Sequence, residues 1–134
     1  MENRIAEPGI AGQSIFIVED ESVIAMLIED FLGELGCVVA GVASRLEEAV
    51  EKISALSFDA AIVDVNLNGR QTYPLAELLR KKGCPFVFAT GYGTATLPKA
   101  LDGMLVISKP FTLCDLEKAL TSALMTRSNK GSFI

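Results

Sequence analysis

Four points along the chain carry side chains that could do chemistry together: Glu19-Asp20-Glu21, Asp64, Thr90 and Lys109. Three carboxylates (Glu19, Asp20 and Asp64), one hydroxyl and one ammonium are the parts of a site that holds a hard cation. Like charges 4 Å apart repel by about 4 kcal/mol per pair at an effective dielectric of 20, so something cationic has to offset them. Lys109 offers one charge. A divalent ion held by oxygen ligands offers two, and Mg2+ suits a site with few carboxylates and several retained waters. Taken singly, each residue has a plainer role. Glu19 or Asp20 could cap a following helix, Thr90 could satisfy strand-end backbone, and Lys109 could be a solvated lysine. Asp64 resists that treatment, because it ends an apolar run with no helix immediately behind it.

Other chemistries are excluded by what is missing. The chain has no histidine, so it contains no Ser-His-Asp or Cys-His nucleophile pair, no histidine zinc ligand and no phosphohistidine of its own. Twelve Lys+Arg against 17 Asp+Glu give a net charge of −5, which argues against binding nucleic acid through its phosphates. Cys37, Cys84 and Cys114 form no CxxC pair and sit beside apolar residues, as buried, reduced thiols do. The N-terminus lacks a signal-peptide pattern, and no apolar run approaches the roughly 18 residues of a membrane span. A cytoplasmic protein without a membrane partner is expected.

The elements that must position these residues follow from periodicity. The 134 residues, half of them hydrophobic, suit one domain that buries roughly 65–70% of its unfolded surface. Ser14–Val18 reads as a strand covered on both faces. Helical spacing follows from Ile24 to Leu35, and Gly36 stops it. Strand 38–42 precedes a helix through Leu46, Ala49, Val50 and Ile53, with Ser44 as N-cap and Glu47 completing a capping box. Strand 60–63 leads to Asp64 and a loop over 66–70. Pro74 then opens a helix that ends near Gly83. Strand 86–89, a weak helical stretch over 96–101, strand 104–107 and a helix capped by Thr112 and lined by Leu113, Leu116, Leu120 and Leu124 complete the pattern. Five strands alternating with five helices predict a doubly wound parallel α/β sheet. Ligands bind such sheets outside the carboxyl ends of the strands, where all four chemical points fall. Residues 1–12 and 128–134 lack periodicity and are expected to be flexible ends around a domain spanning 13–127.

Four motifs in order, Ile15-Phe16-Ile17-Val18-Glu19-Asp20-Glu21, Ile62-Val63-Asp64-Val65-Asn66-Leu67, Ala89-Thr90-Gly91 and Ser108-Lys109-Pro110-Phe111, make the chain over 14–126 resemble a response-regulator receiver domain of bacterial two-component systems. That resemblance implies a flavodoxin/CheY-like sheet of order 2-1-3-4-5. It makes Asp64 the acceptor of a phosphoryl group from a sensor histidine kinase or histidine phosphotransfer protein. Mg2+, or Mn2+ in its place, would be bound by Asp20 directly, Glu19 through water, Asp64 and the backbone carbonyl of Asn66. Thr90 and Lys109 would contact phosphoryl oxygens, and a cis peptide bond would precede Pro110. The protein would be a monomer or weak dimer that signals as a stand-alone receiver and catalyses only its own phosphorylation and dephosphorylation. The alternatives are a constitutive receiver-like interaction module or a phosphate sink.

Three features depart from the common receiver pattern. Many receivers carry an aromatic residue three positions before the lysine, where this chain has Val106. The run Pro85-Phe86-Val87-Phe88-Ala89-Thr90-Gly91-Tyr92-Gly93 resembles a subgroup of single-domain receivers named for its Phe-Ala-Thr-Gly motif; Tyr92 either replaces the missing aromatic or covers the site. Residues 91–101 are poor in helix formers and are expected to order on phosphorylation. Asn66 and Tyr92, each two residues past a site residue, are candidate modulators of phosphate lifetime.

Overall fold

The computed structural model describes residues 9–91 and 104–131. The elements are β1 (Ser14–Val18), α1 (Ser22–Glu34), β2 (Val38–Ala43), α2 (Leu46–Ala55), β3 (Ala60–Asp64), β4 (Asn66–Leu67), β5 (Arg70–Gln71), α3 (Tyr73–Lys82), β6 (Phe86–Thr90), β7 (Val106–Ser108) and α4 (Leu113–Gly131). Five strands form one parallel sheet in the order β2-β1-β3-β6-β7, the predicted order once the small strands β4 and β5 are set aside. Four of the five predicted helices are present, and the stretch 96–101 lies outside the described residues.

Alternation along β1 explains its unbroken hydrophobicity. Ile15 and Ile17 face a core with Ile28 and Leu32 of α1 and Leu116 and Leu120 of α4. Phe16 and Val18 face a second core with Ala49 and Ile53 of α2 and Leu75 and Leu79 of α3. A strand buried on both faces has no polar face to show, so its pattern is a run rather than an alternation. The helix ends follow local chemistry. Gly36 and Gly83 adopt positive φ just past α1 and α3, where glycine avoids the Cβ clash. Thr112 and Asp115 cap α4 reciprocally: the Thr112 N–H donates to Asp115 Oδ2 at 2.9 Å, and the Asp115 N–H donates to Thr112 Oγ1 at 3.1 Å.

Four local expectations are corrected. The segment 66–70 is not a plain loop but part of an antiparallel hairpin, β4–β5. It turns on Asn68 (φ 52°) and Gly69 (φ 86°), the pair of left-handed residues a two-residue primed turn requires. The N-cap of α2 is Arg45, without a side-chain cap, and Glu48 rather than Glu47 accepts the Ser44 N–H at 2.9 Å. Glu47 is drawn instead to Arg70 of the hairpin. Cys37 and Cys84 are buried but Cys114 is exposed, because the core side of α4 is taken by Leu116, Ala119, Leu120 and Ala123. The packed body also begins before residue 13. Ile10 is 2% exposed, its carbonyl accepts the Gln13 N–H at 3.1 Å, and the Gly12 N–H donates to Gly36 O at 2.8 Å.

That turn is testable as part of the domain. Ile10→Ala is expected to cost about 2–5 kcal/mol of stability, as buried truncations do, read as a lowered urea midpoint. A segment that contributes no packing would shift the midpoint by less than about 0.5 kcal/mol.

Candidate functional site

Because the five large strands are parallel, their carboxyl ends share one edge of the sheet. Glu19 and Asp20 leave β1, Asp64 ends β3, Thr90 ends β6, and Lys109 follows β7 directly. Main-chain bonds fix these exits. The Glu19 N–H donates to Ala43 O at 2.9 Å, the Val65 N–H to Ala89 O at 2.9 Å, and the Lys109 N–H to Thr90 O at 2.8 Å. The Lys109–Pro110 peptide is cis, as the resemblance implies.

The Lys109 ammonium is the centre of the arrangement. Its Nζ lies 2.9 Å from Glu19 Oε1 and 2.9 Å from Asp64 Oδ2. Asp64 Oδ1 accepts the Asn66 N–H at 3.1 Å, and Glu19 Oε2 accepts the Glu21 N–H at 3.1 Å. Asp20 Oδ2 accepts the N–H of Asn68 at 3.1 Å, from the hairpin turn. The N-cap position of α1 falls to Glu21, so Glu19 and Asp20 do not hold that position. One carboxylate oxygen from each of Glu19, Asp20 and Asp64 lies within 4.8 Å of the others. An all-oxygen, all-carboxylate donor set suits a hard divalent cation. A cavity of about 350 Å³ opens beside these groups, lined by Asp20, Glu21, Asp64, Val65, Asn66, Thr90, Gly91 and Lys109.

Burial, opposed by hydrogen bonds from Lys109 and the Glu21 N–H and assisted by the charge on Asp64, pushes the Glu19 pKa up from 4.5 to about 7. For Lys109, burial works against the charge, but the hydrogen bonds to Asp64 and Glu19 outweigh it, and its pKa stands above that of an ordinary lysine. The ammonium is therefore held charged beside a glutamate that takes up a proton near neutrality.

Glu19, Asp20, Asp64, Asn66, Thr90 and Lys109 are thus brought to one edge, while Tyr92 lies outside the described residues. Asn66 enters through its main chain, and its Oδ1 accepts the Gly69 N–H at 2.9 Å within the hairpin. Val106 is half-buried and packs against the α2/α3 core. Two contributors went unmarked in the sequence. Asn68, whose N–H meets Asp20, was signalled by its Asn-Gly pair. Thr72, whose hydroxyl donates to the Asp64 carbonyl at 2.6 Å, carried no signal beyond its place before a helix.

A parallel doubly wound sheet with an acidic cluster, a threonine and a lysine on its carboxyl edge is the arrangement that the receiver resemblance implies. The chain belongs to that family: residues 15–121 match the response regulator receiver domain. SdrG from Sphingomonas melonis Fr1 is 39% identical, with a TM-score of 0.76 over 84% of this chain and 97% of that one. The BeF3-activated conformation of SdrG gives a TM-score of 0.74 at 40% identity, over 85% and 98%. The sensory transduction protein LytR of Staphylococcus haemolyticus is 32% identical over 86% of this chain and 46% of its own length. The transcriptional regulatory protein PdtaR of Mycobacterium tuberculosis is 32% identical over 82% and 56%. The chain spans about half the length of these curated relatives. No helix among the described residues is long and apolar enough to cross a membrane.

The raised Glu19 pKa predicts a pH signature. Between 4.5 and about 7 the folded state holds a proton that the unfolded state has released, so this contribution to stability is full below 4.5 and is lost as pH rises through 7. In EDTA, the stability of wild type relative to Glu19→Gln should fall between pH 5 and pH 7.5, followed by urea midpoints. Parallel curves for the two proteins would contradict the assignment.

Proposed function

We propose that this receiver accepts a phosphoryl group on Asp64 from a histidine kinase or histidine phosphotransfer protein, in a Mg2+-dependent reaction, and signals through the resulting change in the surface it offers a partner. The observation that carries this reading is the Lys109 ammonium 2.9 Å from both Asp64 and Glu19, with Asp20 completing an oxygen cluster with those two carboxylates. An Asp64 carboxylate oxygen attacks phosphorus, the P–N bond to the donor imidazole breaks, and the imidazole leaves with the bonding electrons. The missing histidine agrees, since the phosphohistidine belongs to the donor. Lys109 and the hydroxyl of Thr90 serve the phosphoryl oxygens, and the Asn66 N–H holds one Asp64 oxygen while the other reacts. Glu19, Asp20, Asp64 and the Asn66 carbonyl would hold Mg2+, or Mn2+ in its place, which when bound supplies positive charge against that developing on the transferred group. Asn66 and Tyr92 are candidate modulators of phosphoaspartate lifetime, on the sequence pattern alone.

Acetyl phosphate with Mg2+, followed by phosphate-affinity gel separation, tests this directly. A retarded band is expected from wild type, none from Asp64→Asn and none in EDTA. The Mg2+ concentration needed for half-maximal phosphorylation should fall as pH rises through about 7, as Glu19 gives up its proton. Should acetyl phosphate give no band, beryllofluoride is the second probe; failure of both would favour a constitutive interaction module.

A further inference from the structure

Among the described residues four polar or charged side chains are buried: Glu19, Asp64, Thr72 and Thr90. Three belong to the site already described. The fourth, Thr72, has 0% of its surface exposed and occupies the N-cap position of α3, yet makes no side-chain cap bond. Its hydroxyl is spent elsewhere, donating to the Asp64 carbonyl at 2.6 Å. The Thr72 N–H donates to the next carbonyl, Val65 O, at 2.9 Å, and the Thr72 carbonyl accepts the Leu75 N–H at 2.9 Å as α3 begins. One residue therefore grips two consecutive carbonyls at the end of β3 and ties them to a helix.

The grip comes where the sheet stops supplying one. The β1–β3 pairing ends at Val18–Val63, one residue short of Asp64. On the other side Val65 is still held by Ala89. Rotation of the Asp64–Val65 peptide would swing the carboxylate away from Lys109 and the Asn66 N–H away from Oδ1.

We propose that Thr72 is a positioning residue for phosphoryl transfer, holding the Asp64 main chain so that the carboxylate is aligned to meet the incoming phosphorus. This inference deepens the proposed function and rests on it. Thr72 touches no reacting atom; it acts through Asp64. Misplacement by about 1 Å can cost on the order of a hundredfold in rate, and a buried carbonyl stripped of its donor will relax toward another partner.

The test compares Thr72→Val, which keeps the shape and removes the hydroxyl, with Thr72→Ser, which keeps the hydroxyl. Initial rates of acetyl phosphate labelling in Mg2+ are measured against donor concentration, with Asp64→Asn as blank. Thr72→Val should lower the maximal rate about tenfold with the half-saturating donor concentration unchanged, since alignment and not binding is lost. Thr72→Ser should stay within about twofold of wild type. If the valine variant does not fold, Thr72→Ala carries the same comparison. A hydroxyl-free variant at the wild-type rate, or a serine variant as slow as the valine one, would overturn the proposal while leaving the proposed function standing. A wild-type chain that takes no phosphoryl group or beryllofluoride would overturn both.

Discussion

Glu19 and Asp64 are almost wholly buried carboxylates on neighbouring strand ends, and the Lys109 ammonium 2.9 Å from each makes their proximity tenable. Removing one partner of a buried ion pair costs about 3–5 kcal/mol because the other charge is left unpaired; here a single cation serves two anions. It does not serve them fully. With Asp20 included, three carboxylates face one ammonium, leaving two negative charges uncompensated when all are ionised. A proton on Glu19 relieves one, in keeping with a pKa raised first by burial and further by the charge on Asp64, and a divalent cation would relieve both. A phosphoryl group on Asp64 would replace the single charge of the carboxylate with the roughly two of an acyl phosphate, a net gain of about one negative charge at the same edge, so the site is arranged to need positive charge before it reacts and more of it afterwards.

That placement is a consequence of topology. Strands running the same way deliver their carboxyl ends to one edge, so residues as distant in sequence as Glu19, Asp64, Thr90 and Lys109 meet without any of their own local preferences bringing them together. The apolar runs of β1 and β3 carry the folding information and the polar residues that end them carry the chemistry, a division that buries five of five residues in β3 up to and including Asp64. Because both were visible in the one-dimensional pattern, the parallel sheet and the chemical points on its edge could be read from residue types, while the strand order and the role of each point came from the family resemblance.

What the pattern hid was either too short or too remote in sequence. Strands of two residues, β4 and β5, cannot show a period, and only the Asn68-Gly69 pair betrays their turn. The helix start near Ser44 shifted by a residue: Glu47 pairs with Arg70 of the hairpin, and Glu48 takes the turn bond instead. Ile10 sits outside any regular element, and its burial depends on Leu35 and Cys37 far along the chain. Thr72 stands at the N-cap position of α3, yet its hydroxyl bonds a carbonyl eight residues back, a tertiary preference that no local rule ranks above capping.

Val106 bears on how the site reaches the surface. Its register partner is Phe88, which packs edge-on against Phe86 at 5.5 Å and Tyr73 at 6.3 Å, so the aromatic volume near this part of the sheet comes from β6 and α3. A valine has one side-chain torsion and no polar tip. It cannot trade a buried for an exposed position as a large amphipathic ring does. Lys109 is tied to the edge twice over, whatever side chain stands at 106: its N–H donates to Thr90 O at 2.8 Å, joining the ends of β6 and β7, and its ammonium reaches Glu19 and Asp64.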